Sequence, residues 1–327
     1  MRDDRRFAVA PMIDWTDRHC RYFHRQLMRS GQVYTEMIVA DAVLRGDRGR
    51  LLGFDPIEHP VVLQLGGSDA EKLAEAAAIG AAFGYDEINL NVGCPSDRVQ
   101  SGTFGACLMR TPDVVERAVA AMKTAVKISV TVKCRIGVDD QEPRDVLPDF
   151  LDRMVGAGAD AVWIHARKAW LNGLSPKENR TIPPLDYPLV YDMKARHPDV
   201  FIGINGGIVT MDEAVSHLEH VDGVMMGRAA YQTPAVLAEV GHRLFGDKEQ
   251  PIDWRALRDR MMEYAAGELA KGARLSQVTR HMVGLFNGHS GARRYRQILS
   301  TEATRPGAGP EVIERAFEAV ELEAQPA

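Results

Sequence analysis

Several short clusters of this 327-residue chain combine residue types that can do chemistry. The most pointed is Asn89-Leu90-Asn91-Val92-Gly93-Cys94-Pro95-Ser96. Polar and apolar residues alternate from Glu87 to Val92, then Gly93 and Pro95 break the pattern and leave one thiol in a turn. A cysteine at the C-terminal end of a strand sits where α/β barrels keep their reactive groups, although a tight turn also favours any small residue. Lys133 lies within the apolar positions Val130, Val132 and Cys134. Pointed into a barrel it needs an anion or a bound ligand; pointed outwards it is a surface lysine. His165 closes another apolar run, either as a hydrogen-bonded structural residue or as a donor beside a phosphate. Gln64 can donate and accept at once, which suits the edge of an amide-like ring, or else it is a turn residue. Asn205-Gly206-Gly207 exposes backbone N–H groups just before a capping-box sequence, Thr210-Met211-Asp212-Glu213. Gly227-Arg228 adds a second bare backbone and a guanidinium suited to phosphate.

These parts point to a flat, phosphorylated cofactor such as flavin mononucleotide (FMN). Lys133 would stabilise negative charge on the reduced ring and Gln64 would hold its pyrimidine edge. The backbone of Pro11, Met12 and Ile13 would lie against the ring.

The elements that must position these residues are eight apolar runs. They are expected as strands over 7–12, 33–37, 61–65, 87–92, 130–135, 161–165, 201–205 and 223–227. Helical patterns with recognisable ends separate them. Ser68-Asp69 can cap a helix from Ala70, Thr111-Pro112-Asp113 offers an N-cap followed by proline, and Gly156 and Gly158 punctuate a helix end. Eight alternating units over about 235 residues match a (β/α)8 TIM barrel. The rival doubly wound sheet usually carries a Gly-x-Gly-x-x-Gly turn after an early strand, and none is present. After Val240 the strand signal stops. The segments 254–271, 276–287, 292–300 and 310–322 read as helices. The chain is thus expected to hold a catalytic barrel over 1–240 and a small all-helical domain over 241–327.

Hydrophobic residues make up 45% and charged residues 26%, the profile of a globular protein. No apolar run reaches the roughly 18 residues that cross a bilayer. The charged start Met1 to Arg6 does not read as a signal peptide. Cys20, Cys94, Cys107 and Cys134 are far apart with no CxxC pair, which argues against a zinc site and suits a reducing cytoplasm. The net charge of −5 hides an asymmetry. Residues 1–240 carry 27 basic and 33 acidic side chains, whereas residues 241–300 carry 11 basic and 6 acidic. Leu269 to Thr301 contains no acid at all but holds Lys271, Arg274, Arg280, Arg293, Arg294 and Arg296. A basic block on an acidic protein fits a polyanionic partner better than a merely solvated face.

Longer stretches carry a resemblance. Ala10-Pro11-Met12-Ile13-Asp14-Trp15-Thr16-Asp17, Tyr34-Thr35-Glu36-Met37, Asn89 to Pro95, Lys133-Cys134-Arg135 and Asn205-Gly206-Gly207 closely resemble the tRNA-dihydrouridine synthases. Leu174-Ser175-Pro176-Lys177-Glu178-Asn179-Arg180 and Arg293-Arg294-Tyr295-Arg296 look like the A-type bacterial subfamily. The resemblance spans about Phe7 to Ser300. It implies a flavin enzyme that uses NADPH to reduce uridine in tRNA, at positions 20 and 20a of the D-loop in that subfamily. By motif, it assigns Pro11, Met12, Ile13, Gln64, Lys133, His165, Asn205, Gly206, Gly207, Gly227 and Arg228 to FMN. Cys94 becomes the proton donor, and Asn91, Lys177, Arg180, Arg293 and Arg296 face the tRNA.

The chemistry implied is hydride transfer to C6 of an extruded uracil and protonation of C5 by Cys94, from the face opposite the flavin. An ordinary thiol titrates near 8.5 and is mostly protonated at neutral pH, so it can act as an acid without an activating base. The other three cysteines are expected in packing. The 96–106 segment, with Gly102 and Gly105 as hinges, is expected to close over the substrate. Two other classes fit parts of the pattern. A flavin barrel acting on a small molecule, of the dihydroorotate-oxidising kind, has no use for the acid-free block. A non-enzymatic RNA- or partner-binding module predicts a colourless protein.

Overall fold

The computed structural model describes residues 4–96 and 104–321. Nine strand segments appear, all parallel: β1 (Phe7–Val9), β2 (Gln32–Tyr34), β3 (Ile38–Val39), β4 (Val61–Gly66), β5 (Glu87–Val92), β6 (Ser129–Arg135), β7 (Ala161–His165), β8 (Phe201–Asn205) and β9 (Gly223–Met226). The order β2-β1-β9-β8-β7-β6-β5-β4 closes through a β2–β4 pairing, which makes the (β/α)8 barrel expected from the alternation. The short β3 is an extra segment on the far end of β4.

The strand expected over 33–37 is broken because its middle residues have other work. Thr35 turns its Oγ1 to accept the Gln64 N–H at 3.0 Å, and Glu36 turns outwards to accept the Asp14 N–H at 2.5 Å. The first strand also ends earlier than expected. Ala10 still donates to Met226 O, but Pro11 has no N–H to give, and Thr16 closes a turn back onto Met12.

The alternation along β5 and β6 is read out in two directions. Ile88, Leu90 and Val92, with Val130, Val132 and Cys134, face the surrounding helices and are fully buried. Glu87, Asn89, Asn91, Thr131 and Lys133 lie on the opposite, inner face. The rest of the barrel floor is filled by Ala8, Tyr34, Val62, Trp163 and Met225. Trp163 needs Gly203 opposite it, since a Cβ there would lie 2.2 Å from the indole.

The helices follow their local signals with two exceptions. Asp69 caps Ala70–Phe83, Thr210 makes a capping box on Met211–His217, and Gly158 takes a left-handed conformation. Thr111 stands at the N-cap of Pro112–Ala125 without a capping bond, so Pro112 alone marks that start. The helix expected over 276–287 is cut to Leu275–Thr279. Beyond it the chain bends around the barrel: Gly284 lies against Gln232 O, where a Cβ would sit at 2.2 Å. Trp254–Ala270, Ala292–Thr301 and Glu311–Glu318 complete the helical region. That region packs on the barrel helix Arg18–Leu27, with Tyr22 stacked on Tyr264 at 3.7 Å and Arg18 paired to Glu268 at 2.5 Å. No described helix is long and apolar enough to cross a membrane. Gly102 lies outside the described residues; Gly105 has φ +75 at the start of the 3-10 turn Gly105–Arg110.

Candidate active site

A hydrogen-bonded chain runs up the barrel interior and ends on the cysteine turn. It begins at Glu87, which is 1% exposed and accepts from Arg5 Nε at 2.8 Å and from Thr131 Oγ1 at 2.7 Å. Gln32 and Tyr34 add two longer bonds at 3.2 Å. Thr131 Oγ1 accepts from Asn89 Nδ2 at 2.9 Å. Asn89 Oδ1 accepts from Gln64 Nε2 at 2.8 Å, and Gln64 Oε1 accepts from Asn91 Nδ2 at 2.8 Å. Asn91 Oδ1 then takes the N–H groups of Gly93 at 3.1 Å and Cys94 at 2.9 Å. Every donor in the chain points down towards Glu87. The carboxylate can only accept and the two turn amides can only donate, so both ends demand the same direction.

Cys94 therefore sits on a turn fixed from below, half-buried, with Sγ 3.5 Å from Ser96 Oγ. Arg135 fixes it from the side. Its Nε donates to Gly93 O at 2.9 Å, and its Nη1 donates to Lys168 O at 2.9 Å and Asn179 O at 3.0 Å. Asn91, which the resemblance turns towards RNA, is 7% exposed and makes three internal bonds that hold the Cys94 turn, with one N–H left to spare. Gln64 is likewise inside the chain, with one N–H and one lone pair to spare. The other three cysteines are packing residues or close to it: burial pushes the Cys134 thiol up to about 12 and that of Cys20 far up, and Cys107 bonds Phe104 O at 3.1 Å.

Beside the turn is a pocket of cations. Lys133 points inwards and donates to Asn205 Oδ1 at 2.9 Å, while Asn205 Nδ2 donates to Met225 O at 2.7 Å. Burial first, and Arg135 next, pull the Lys133 ammonium down to about 8. His165 is held well below its ordinary value by burial, then by the charges of Arg135, Lys133, Arg167 and Arg228. Gly206 lies against it and Gly207 follows, with φ +113 and +79. A Cβ on Gly206 would sit 2.6 Å from the His165 ring and one on Gly207 2.6 Å from the Tyr187 hydroxyl, so only glycine fits either position. Just before the helix after them, the Glu213 carboxylate accepts from Val209 N at 2.7 Å and Thr210 N at 3.1 Å. Gly227 lies 3.7 to 3.8 Å, measured from an ideal Cβ, from Ala10 and Met12 Sδ, which brings the Pro11-Met12-Ile13 loop to the same rim. Ile13 is exposed on it. Arg228 Nη2 donates to Arg180 O at 3.1 Å.

The residues expected on RNA divide into two groups. Lys177 and Arg180 are exposed in the loop after β7, whose centre is the buried Asn179. Arg293 and Arg296 lie three apart on Ala292–Thr301, away from its buried stripe Ala292, Tyr295, Ile298 and Leu299. Arg296 reaches Asn287 at 3.0 Å, and Asn287 reaches Gln232 O at 2.6 Å, at the end of the helix that begins with Arg228. Glu87 and Thr131 were missed, although polar residues recur at every second position of their two adjacent strands. Asn89, Arg135 and Asn179 stand in the quoted motifs, but nothing local to them signals the bonds they make.

Among the described residues no group of His, Cys, Asp and Glu is arranged to hold a metal ion. The fold and this mouth define a (β/α)8 barrel enzyme with a positioned thiol beside a cationic, glycine-lined pocket at the strand C-termini. Comparison with known proteins makes the class specific. The sequence profile described as dihydrouridine synthase matches residues 8–321. The tRNA-dihydrouridine(20/20a) synthase of Xanthomonas axonopodis pv. citri (strain 306) is 55% identical over 313 residues, 96% of this chain and 93% of its own length. That of Escherichia coli (strain K12) is 53% identical over 316 residues, 96% and 91% of the two chains. A solved complex of 2-naphthoyl-CoA reductase shares the fold alone, with TM-score 0.53 and 12% identity over 72% of this chain and 49% of that one. The chain belongs to the dihydrouridine synthase family, whose members are oxidoreductases.

Proposed function

We propose that this protein reduces uridine 20 and 20a in the D-loop of tRNA to 5,6-dihydrouridine, with NADPH as electron donor and FMN as cofactor. The observation that carries the reading is the Cys94 turn, held by Asn91 and Arg135 beside a cluster of cations and two glycines whose Cβ atoms would collide with His165 and Tyr187. That cluster fits a phosphate, because Lys133, His165, Arg167 and Arg228 converge there and His165 is surrounded by positive charge. Gly206, Gly207, Gly227 and Arg228 would take the FMN phosphate, Lys133 and Gln64 the ring, and the Pro11-Met12-Ile13 loop its edge. When bound and reduced by NADPH, FMN would supply the hydride for C6 of the uracil.

The chain's own residues supply the rest. Cys94 gives its Sγ proton to C5, so one hydride and one proton saturate the 5,6 double bond, and solvent later returns the proton to sulfur. Lys133, kept in place by Asn205, stabilises negative charge developing beside it. Lys177 and Arg180 hold phosphates near the pocket, and the helical region over 241–327 holds them further out through Arg293 and Arg296. RNA is read by shape and by splayed bases, so recognition of the folded tRNA elbow is expected.

The test begins with the purified protein, which should be yellow. Its reduced flavin should be re-oxidised by tRNA lacking dihydrouridine and not by small pyrimidines; re-oxidation by small pyrimidines alone would remove tRNA from the reading. Cys94→Ala should keep NADPH oxidation and lose at least about a hundredfold in turnover on tRNA, the scale of a positioned general acid. Unchanged turnover refutes the acid role of Cys94.

A further inference from the structure

We infer that Trp170 is a stacking platform for an unpaired base of the RNA beside the extruded target. The inference rests on the tRNA reading above.

Three of the four tryptophans have ring partners. Trp15 stacks on Tyr231 at 4.3 Å, Trp163 meets Phe201 at 5.6 Å, and Trp254 meets Phe286 at 4.8 Å. Trp170 has none among the described residues, and it is 36% exposed. It belongs to a pattern. Of the six large apolar residues exposed among the described residues, four (Ile13, Trp170, Ile182 and Val209) follow β1, β7 or β8 and so rim the mouth of the barrel. Trp170 is the aromatic member of that rim, and aromatic faces stack on bases whatever their sequence.

Its backbone is held as firmly as a strand. Trp170 N–H donates to Asn179 Oδ1 at 2.7 Å and Asn179 Nδ2 donates to Trp170 O at 2.8 Å, so one buried amide pairs both main-chain groups. On either side, Ala169 N–H donates to Gly137 O at 3.0 Å and Leu171 N–H to Asp139 Oδ1 at 2.6 Å. An apolar ring about one-third exposed on so rigid a mount loses little freedom when a ligand covers it. The same mount is tied to the reacting thiol. Arg135 bonds Lys168 O and Asn179 O on one side and Gly93 O on the other, which places Trp170 one arginine away from the Cys94 turn.

The surrounding charge selects the occupant. The stretch 166–181 carries Arg167, Lys168, Lys177 and Arg180 against a single acid, Glu178, and that carboxylate is turned onto Ser175 N and Oγ. Asp139, the acid nearest the mount, is itself paired with Arg110 at 2.6 Å. A flat apolar ring beside a stretch with a surplus of cations suits a ligand with a flat apolar ring on an anionic backbone. Extrusion of a target base leaves its neighbours partly unstacked, and a ring on the rim can take the place of the lost neighbour.

The experiment compares wild type, Trp170→Phe and Trp170→Ala as full-length, flavin-loaded proteins with unmodified tRNA, and measures affinity across salt concentrations as well as both half-reactions. Trp170→Ala should weaken tRNA binding about 5- to 150-fold at every salt concentration. The slope of log affinity against log salt should stay the same, because no phosphate contact is lost. Trp170→Phe should recover most of the affinity, and reduction by NADPH should be unaltered in both. Equal tRNA affinity in Trp170→Ala and wild type overturns the inference. A rise in KM for NADPH, with tRNA binding intact, overturns it too and assigns the indole to the dinucleotide. A flattened salt slope in Trp170→Phe as well as Trp170→Ala shows that the loop has moved, and also counts against stacking. If wild type itself fails to be re-oxidised by tRNA, the substrate reading fails, whatever Trp170 does.

Discussion

Glu87→Gln tests whether the chain inside the barrel is anchored by charge. The substitution keeps the shape and removes one of the two accepting oxygens. Four donors now converge on Glu87: Arg5 Nε, Thr131 Oγ1, Gln32 Nε2 and Tyr34 Oη. The new amide must keep its oxygen towards Thr131 and Tyr34. If it turned round, Thr131 would have to donate upwards, and Asn89, Gln64 and Asn91 would each have to flip. Asn91 would then face the Gly93 and Cys94 N–H groups with its own N–H2. The nitrogen of the new amide therefore faces Arg5 and Gln32. Gln32 can answer by turning, because its buried Oε1 has no partner among the described residues. Arg5 cannot, and it loses a charged bond at 2.8 Å to a group shut away from water.

Breaking a buried ion pair costs about 3–5 kcal/mol, and a single hydrogen bond to a charged group about 1.5–3 kcal/mol. Arg5 keeps some solvent and Ser129, at 2.6 Å, so the lower end applies. About 3 kcal/mol corresponds to roughly 5 °C in a chain of this size. Thermal and urea unfolding of the variant measure it. The same geometry predicts that the rate of Cys94 alkylation is unchanged in Glu87→Gln but changed in Asn91→Ala, which strips acceptors from the turn itself. A stability loss under about 1 kcal/mol, or equal alkylation rates in all three proteins, refutes the anchored chain.

Two further outcomes follow from the charges at the mouth. Lys133 titrates at about 8 when folded and near 10.4 in an unfolded chain, so the folded state binds fewer protons between those values and stability rises with pH across them. Below pH 8 its buried charge costs about 3 kcal/mol, a cost that fades by about pH 10.4. In flavin-free protein Lys133→Met should thus melt higher than wild type at pH 7 and converge with it above pH 10; equal melting at pH 7 removes the argument. Replacing Arg293 and Arg296 together with Ala should weaken tRNA binding and lower the salt slope by about two, one per phosphate contact, with reduction by NADPH unchanged. An unaltered slope would take the two arginines off the RNA.

How far the sequence alone reaches is clearest along β5. The alternation Glu87, Asn89, Asn91 is visible as text, and the barrel follows from eight such runs separated by capped helices. Which side of the alternation faces inwards is a property of the closed ring. So Lys133 stays ambiguous in the sequence and becomes unambiguous only when Asn205, far along the chain, supplies its acceptor. Gln64 and Asn91 look like free amides until the register places them on adjacent strands, where each consumes the other's valences. The break between β2 and β3 is hidden for the same reason, since Thr35 and Glu36 are good strand residues whose partners lie on other loops. The shortened helix after Leu275 reflects a contact with Gln232 that no local propensity encodes.

The two parts of the chain meet on one carboxylate, and this decides how the helical region can act. Asp17 caps Arg18–Leu27 through the N–H groups of His19 and Cys20, both at 3.0 Å. It also pairs with Arg280 at 2.5 Å and His281 at 2.9 Å from the helical region. Burial works against its charge, yet the hydrogen bond and charge of His281, the Cys20 N–H and Arg280 together hold its carboxyl far below the usual range. Asp17 lies five residues after Met12, on the loop that reaches Gly227. Trp15, on the same loop, stacks on Tyr231 from the helix that starts at Arg228, and Tyr231 meets the His281 ring at 5.7 Å. The Met12 loop, the helix that begins at Arg228 and the helical region are thus three sides of one packed cluster. A helical region that shifted to follow an RNA would have to carry the Met12 loop and Arg228 with it, or break the Asp17 pairs with half-exposed Arg280 and buried His281. The arginines on Ala292–Thr301 are therefore set at a fixed distance from the Cys94 turn, and an RNA held by them as proposed must present its target at that distance.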